Sequence, residues 1–243
     1  MAVCVSSCVM KHVWTKVYSA MGKGGKDLAY FPFFVDIEGK RWLIVGGGEV
    51  AFRKVRDLLP YGARIRVVAP VMVPGLLALA ESGNAPDQLL CEQRGFEDND
   101  LEGIDFVVAA TASPSLNSHI SSMCREQRIP VNVVDVKDEC SFIFPSIVRD
   151  GPVVVGISTG GASPVIARYL KDRVKAALPE GLGMLAAQLG EYRERVKTLF
   201  PESPRVRSSL FYELAEEGIA HDCVLTKELA ETIIRRKLEQ EHE

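Results

Sequence analysis

No apolar run in this chain is long enough to cross a bilayer, and no two of its cysteines form a C-x-x-C pair. The first absence excludes a helical membrane span. The second, with Cys4, Cys8, Cys91, Cys124, Cys140 and Cys223 scattered along the sequence, argues against a zinc ribbon or disulfide framework and for reduced thiols in the cytoplasm. Histidine is scarce, at four residues, and no His, Cys or carboxylate cluster has ligand spacing, so no metal site is expected. Excess positive charge is also missing. With 29 basic and 32 acidic residues the net charge is -3, which argues against a general polyanion surface and against nucleic acid as a partner. The first 26 residues lack any acid or arginine but carry Lys11, Lys16, Lys23 and Lys26. Neither a transit peptide nor a secretory signal has that order of charge and apolar residues, so a disordered extension or an over-long start is expected there.

The most informative stretch present is Arg41 to Ala51, R-W-L-I-V-G-G-G-E-V-A, where a short apolar run breaks into three glycines and then into helical periodicity. Gly46 allows a tight turn, Gly48 allows backbone to approach a pyrophosphate, and Ala51 allows close packing of helix on strand. The N–H groups at the helix start would face the phosphates. Alone, such a turn is either a nucleotide site or a structural device. Its surroundings favour the former. An apolar helical face (Val50, Val55, Leu58, Leu59), a stop at Gly62 and an alternating run from Ala63 to Ala69 complete a βαβ unit. A third strand over Asp105 to Ala110 and a fourth over Pro130 to Val134 predict an α/β fold with a parallel, doubly wound sheet.

The carboxylate that usually holds the ribose, about 20 residues past the glycines, is absent. The second strand's tip reads Val68, Ala69, Pro70, Val71. Backbone at Pro70 and Val71 would have to touch the ribose, and the residues do not choose between the two nicotinamide cofactors.

Beyond the sheet, Ser141 to Val148 and Pro152 to Ile157 read as a hairpin around Arg149-Asp150-Gly151. Ser163 is an expected N-cap and Pro164 a first helical residue, with an apolar stripe of Val165, Ile166, Tyr169, Leu170 and Val174. From Gly181 onward the pattern is helical, with breaks at Pro201 to Pro204 and near His221-Asp222. A two-stranded hairpin is marginal alone in water. Homodimerisation through this segment would cover it, as would docking on the nucleotide domain.

Asp135 ends the fourth strand, on the rim expected to carry the glycine turn. Partly buried there, it would serve as a general acid or base, or else it caps a turn. Thr111 and Ser113 lie on that rim too and either meet the ligand or cap the next helix. Asn117 and His119 fall within that helix. Glu49 suits the helix dipole and either touches cofactor or faces solvent. Gly160-Gly161 is a second candidate anion cradle. Arg53, Lys54, Arg168 and Lys171 either hold carboxylates or form solvated faces.

Taken in order, Tyr30-Phe31-Pro32-Phe33-Phe34, Gly46-Gly47-Gly48-Glu49-Val50-Ala51 with Arg53-Lys54, Val131-Asn132-Val133-Val134-Asp135, Ser141-Phe142-Ile143-Phe144-Pro145-Ser146 and Ser158-Thr159-Gly160-Gly161-Ala162-Ser163-Pro164 resemble one family. This is the precorrin-2 dehydrogenase and sirohydrochlorin ferrochelatase family, which also forms the N-terminal module of siroheme synthase. The resemblance implies an NAD-binding Rossmann domain over 28–139 behind the 1–27 extension, a dimerisation segment over 140–178 and a helical domain over 179–243. It implies oxidation of precorrin-2 to sirohydrochlorin with NAD, with insertion of Fe2+ or Co2+ as a possible second activity, in a cytoplasmic homodimer. Asp135 matches the family's catalytic aspartate. Gly46, Gly47, Gly48, Glu49, Val50, Pro70, Val71 and Thr111 fall at expected cofactor positions, and Asn132, Ser141, Thr159, Gly160 and Arg168 at expected substrate positions. Thr159 stands where some fused members have a modifiable serine. With no methyltransferase domain following, a stand-alone form is expected. An NAD-sensing regulatory module is the non-enzyme reading.

Overall fold

The computed structural model describes residues 30–82 and 87–241; the extension over 1–27, with Cys4, Cys8 and His12, and also His242, lie outside them. The chain divides into two units, one ending at Phe144 and the other beginning at Pro145.

The first unit is built on five parallel strands, β1 (Arg41–Val45), β2 (Arg64–Val68), β3 (Leu89–Glu92), β4 (Phe106–Ala109) and β5 (Val131–Val133), in the order β3-β2-β1-β4-β5. This is the doubly wound order in which the chain reverses direction beside β1, opening a crevice at the strands' carboxyl ends. Helices α1 (Glu49–Leu58), α2 (Pro74–Glu81) and α3 (Pro114–Glu126) complete the unit. Ile44, Val67, Val55 and Leu76 are buried in one core cluster and Leu43, Val45, Val107 and Ile120 in another. The alternation of β1 divides it between the two, Trp42 and Ile44 in the first cluster and Leu43 and Val45 in the second. Gly62, at φ +74, ends the extra turn that follows α1, as its position predicts.

The strand expected third, over Asp105 to Ala110, is the fourth. The preceding β3 has only four residues, Leu-Leu-Cys-Glu, and neither alternates nor forms a long apolar run. The third-strand expectation is therefore corrected by an element whose identity comes from pairing with β2.

In the second unit β6 (Ser146–Asp150) and β7 (Val153–Ile157) form an antiparallel pair. The loop is Gly151-Pro152, with Gly151 at φ +52, so Arg149 and Asp150 belong to the strand. Strand structure starts at Ser146 rather than Ser141, because the residues before it are tied to β5. Helix α4 (Pro164–Ala177) begins as predicted, with the Ser163 hydroxyl accepting from Ile166 N–H at 3.3 Å. Its stripe is not covered in the single chain: Val165 is 77% exposed, and Ile166, Tyr169 and Leu170 are exposed as well. Helices α5 (Leu182–Glu191), α6 (Arg193–Leu199), α7 (Pro204–Ala220) and α8 (Lys227–Glu241) surround a core of Leu185, Val196, Leu210, Leu214 and Ile234. The breaks at Pro201 to Pro204 and His221-Asp222 are present, and a further one falls at Tyr192.

Candidate functional site

The glycine turn follows β1 at the sheet's carboxyl rim, and each glycine answers a different constraint. Gly46 has φ +123, and a Cβ there would lie 2.3 Å from the Ala110 carbonyl oxygen. At Gly47 a Cβ would lie 2.2 Å from the Val71 carbonyl oxygen. These two are required by packing against the tips of β4 and β2. Gly48 is different: nothing lies within 4 Å of a Cβ built on it. It is the N-cap of α1 and makes no side-chain cap, and among the described residues no other side chain takes the helix's opening N–H groups. Open space in front of uncapped amides is what a pyrophosphate needs, so these residues fit a dinucleotide. Glu49 is exposed and Val50 half-buried at the same helix start.

The other rim residues converge on this turn. Gly47 accepts from Val73 N–H at 2.8 Å, which brings the β2 tip beside the glycines. Pro70 is exposed and Val71 79% exposed, with no carboxylate between Val68 and Val71. Arg94, after β3, is committed elsewhere. Its guanidinium donates to Glu92 Oε2 at 2.8 Å and to Asp100 Oδ1 and Oδ2 at 2.6 and 2.8 Å. Asp100 is buried, and the Arg94 hydrogen bond holds its carboxyl below the usual carboxylate range.

Thr111 follows β4, and its polar atoms are engaged. Its N–H donates to Asn117 Oδ1 at 3.2 Å, its hydroxyl lies 2.7 Å from the same oxygen, and Asn117 Nδ2 donates back to its carbonyl at 3.1 Å. Buried Asn117, which the sequence pattern puts within the helix, is thus the residue that fixes it. A polar residue one turn into a helix gives no sequence signal of reaching back to its own N-terminus. Ser113 caps α3 by accepting from Leu116 N–H at 3.3 Å. His119 is exposed beside Asp98.

Asp135 sits just beyond β5, whose end is joined to β4 through Val134 N–H donating to Ala109 O at 3.0 Å. It is exposed, not partly buried as expected, and holds a left-handed conformation at φ +62. Such backbone is uncommon for a non-glycine residue, and aspartate tolerates it better than most. The loop carrying it is fastened at the neck. Val131 N–H donates to Ser141 Oγ at 2.7 Å and Ser141 N–H to Val131 O at 2.8 Å. Asn132, buried, donates to the Phe142 carbonyl at 3.0 Å. Cys140 Sγ accepts from Val133 N–H at 3.2 Å and lies 3.1 Å from Val133 O. Asn132 and Ser141 therefore hold the loop that presents Asp135. Phe142 then packs edge-on against Trp42, which stacks on Phe106 with ring centroids 4.4 Å apart.

Lys54 on α1 stands 3.5 Å from the Phe144 ring centroid, and burial pulls its ammonium down to about 8. In the second unit Gly160 and Gly161 have φ +63 and +87. The Thr159 hydroxyl accepts from Ser163 N–H and lies near Ser163 O, both at 3.1 Å. Arg168 is exposed on α4. Cys91, Cys124, Cys140 and Cys223 are free thiols. Among the described residues there is no His, Cys or carboxylate group able to hold a metal ion, and no helix is long and apolar enough to cross a membrane.

Residues 33–146 match a family model described as putative NAD(P)-binding, which contains the glycine turn, Asp135 and the loop neck. The siroheme synthase of Thioalkalivibrio sulfidiphilus is 43% identical over 189 residues, 78% of this chain and 37% of that protein. That of Nitrosospira multiformis is 40% identical over 216 residues, 88% of this chain and 45% of that protein. The chain is thus similar to one part of the siroheme synthases. It spans about two fifths of the length of these relatives. The solved structure of "SirC, precorrin-2 dehydrogenase" has the same fold, with a TM-score of 0.58 and 23% identity over 86% of this chain and all of that one. The five-stranded parallel sheet, the hairpin and the helical C-terminal region of this chain make up that shared fold.

Proposed function

We propose that this protein oxidises precorrin-2 to sirohydrochlorin with NAD+, and that Asp135 takes the proton released in that step. The observation that carries the reading is Asp135 itself: a strained aspartate on a pinned loop, at the same sheet rim as an uncapped glycine turn. The reaction removes a hydride and a proton from the macrocycle. Nicotinamide, when bound, accepts the hydride. The α1 N-terminus and Gly48 would hold the pyrophosphate, with Gly46 and Gly47 keeping the turn close to its neighbours. Pro70 and Val71 would border the ribose, and Thr111, stapled by Asn117, would border the nicotinamide half. An Asp135 carboxylate oxygen accepts the proton. Asn132 and Ser141 position this group. Lys54 and Arg53 supply cationic charge for a polycarboxylate substrate; for Thr159, Gly160, Arg168 and Lys171, in the second unit, the support for a substrate role is their residue type alone.

The NAD reading is supported by the β2 tip, which offers no arginine for a 2′-phosphate, and by Arg94, whose donors are occupied. The exposed α4 stripe is read as a homodimer surface, the second copy supplying the missing apolar partner. The cytoplasm is the proposed compartment. If Fe2+ or Co2+ is then inserted into the product, Asp135 would accept the pyrrole protons.

The test is anaerobic turnover of freshly generated precorrin-2, with NAD+ or NADP+, following NADH and sirohydrochlorin together. Equal yields of both with NAD+, and a fall in kcat of about a hundredfold or more in Asp135→Asn with NAD+ affinity unchanged, support the reading. Full turnover by Asp135→Asn removes Asp135 from the chemistry. NAD+ binding without turnover by the native protein overturns the dehydrogenase and favours a sensor.

A further inference from the structure

At the end of the first sheet opposite the glycine turn lies a cavity of about 330 Å3 whose lining includes Arg41, Arg64 and Arg66. Alternate residues of a strand face opposite sides. Arg41 pairs in register with Arg64, and Arg66 with Leu90, so these four side chains share one face. Leu90 is 56% exposed, and half-buried Ile104 also lines the cavity.

Two of the three guanidiniums are held by the chain. Arg41 rests over Gly103, at φ +67, where a Cβ would lie 2.6 Å from Arg41 Nη1, and its Nε stands 3.9 Å from Asp105. Arg66 Nη2 donates to the Asp100 carbonyl at 2.5 Å and stands 3.8 Å from its carboxylate. Among the described residues the Arg64 side chain, directly beside Arg41, has neither hydrogen bond nor ion pair. Asp87 and Glu102 line the same cavity, yet among the described residues neither pairs with these arginines. Like charges at paired positions on neighbouring strands repel. An anion between them would relieve that repulsion, and guanidinium is well suited to carboxylate or phosphate.

We propose that this cavity binds an amphipathic dianion, with carboxylate or phosphate groups on an apolar body, the charge held by Arg64 and Arg41 and the apolar part by Leu90 and Ile104. The site is separate from the glycine turn and does not depend on the dehydrogenase reading.

The test is calorimetric titration of the full chain with naphthalene-2,6-dicarboxylate and with 1-naphthyl phosphate, which distinguishes the two head groups, in the presence and absence of saturating NAD+. Saturable one-to-one binding of either probe is expected, unchanged by NAD+ and by Arg193→Glu in the second unit, and weakened at least tenfold by Arg64→Glu. Arg64→Gln serves if the charge reversal fails to fold. Precorrin-2 turnover by the Arg64 variant should equal that of the native protein, so failure of the dehydrogenase reading registers separately. Absence of saturable binding, displacement by NAD+, indifference to Arg64 substitution, or equal affinity for inorganic phosphate would each overturn the proposal.

Discussion

Cys140 Sγ accepts the Val133 N–H at 3.2 Å and thereby closes the neck of the loop that carries Asp135. The thiol also lies 3.3 Å from the Val136 carbonyl, on the far side of Asp135 in the chain. It is half-buried, and burial pushes its pKa up, so it is a structural thiol rather than a nucleophile.

Replacing Cys140 by alanine removes these bonds without touching the glycine turn. An ångström of freedom at a reacting group costs up to about a hundredfold in rate. Cys140→Ala should lower kcat for precorrin-2 roughly tenfold while leaving the NAD+ dissociation constant unchanged. A serine, which can make the same bonds, should recover part of the loss. A parallel fall in NAD+ affinity would show that the neck supports the whole rim and not Asp135 alone.

Adjacent glycines should respond oppositely to the same substitution. Gly46→Ala meets the Ala110 carbonyl and a left-handed φ, and should cost more than about 3 kcal/mol of stability, seen as a large fall in Tm. Gly48→Ala has ordinary φ and open space around the new methyl, so Tm should be retained. That methyl occupies the expected phosphate position. NAD+ binding by Gly48→Ala should weaken at least about tenfold, about 1.4 kcal/mol. Unchanged affinity would mean that the pyrophosphate does not approach Gly48.

Acid should unfold the first unit through Asp100. Its folded-state pKa is held down chiefly by the Arg94 hydrogen bond. A depressed carboxyl contributes stability that is fully present above its unfolded value of 3.8 and is lost as pH falls through the folded value. Stability measured by urea should therefore be flat in this contribution above about pH 5 and fall steeply below pH 4. Asp100→Asn should cost about 1.5–3 kcal/mol at neutral pH, because it removes the charge-assisted bonds to Arg94 and leaves Glu92 as that arginine's remaining carboxylate partner among the described residues, and should flatten the acid limb. An unaltered acid limb in the variant would assign the transition to other carboxylates.

Much of this architecture is legible in the residues because local and tertiary preferences agree. The β1–glycine–α1 unit, the Gly62 stop, the Ser163-Pro164 start and the Gly151 turn each depend on a backbone conformation that few residues can adopt. What is not legible depends on partners distant in sequence. β3 is a strand because β2 offers it an edge, and the run from Ser141 to Phe144 stays out of the hairpin because Val131, Asn132 and Trp42 hold it. Asp135 was found from its place at a strand end, but neither its exposure nor its left-handed backbone is written in the pattern. The roles of Asn117 and Cys140 follow only from three-dimensional proximity.

Lys54 gives the sharpest electrostatic prediction. Its ammonium is pulled down from 10.5 to about 8, first by burial, with Asp57 opposing and Arg53 reinforcing the shift. Attraction to the Phe144 ring offsets part of that cost. Below pH 8 the group is charged in both folded and unfolded chains, so its burial cost does not vary with pH. Between about pH 8 and 10.5 the unfolded chain holds more protons than the folded one, so this group's contribution to stability rises with pH. Lys54→Met should abolish that rise and stabilise the protein at pH 7, read from urea unfolding at pH 7, 8 and 9. If Lys54 also holds a substrate carboxylate, the same variant raises KM for precorrin-2 at pH 7 with kcat retained, and the native KM climbs above pH 8 as the charge is lost. A native KM constant from pH 7 to pH 9 would confine Lys54 to packing on Phe144.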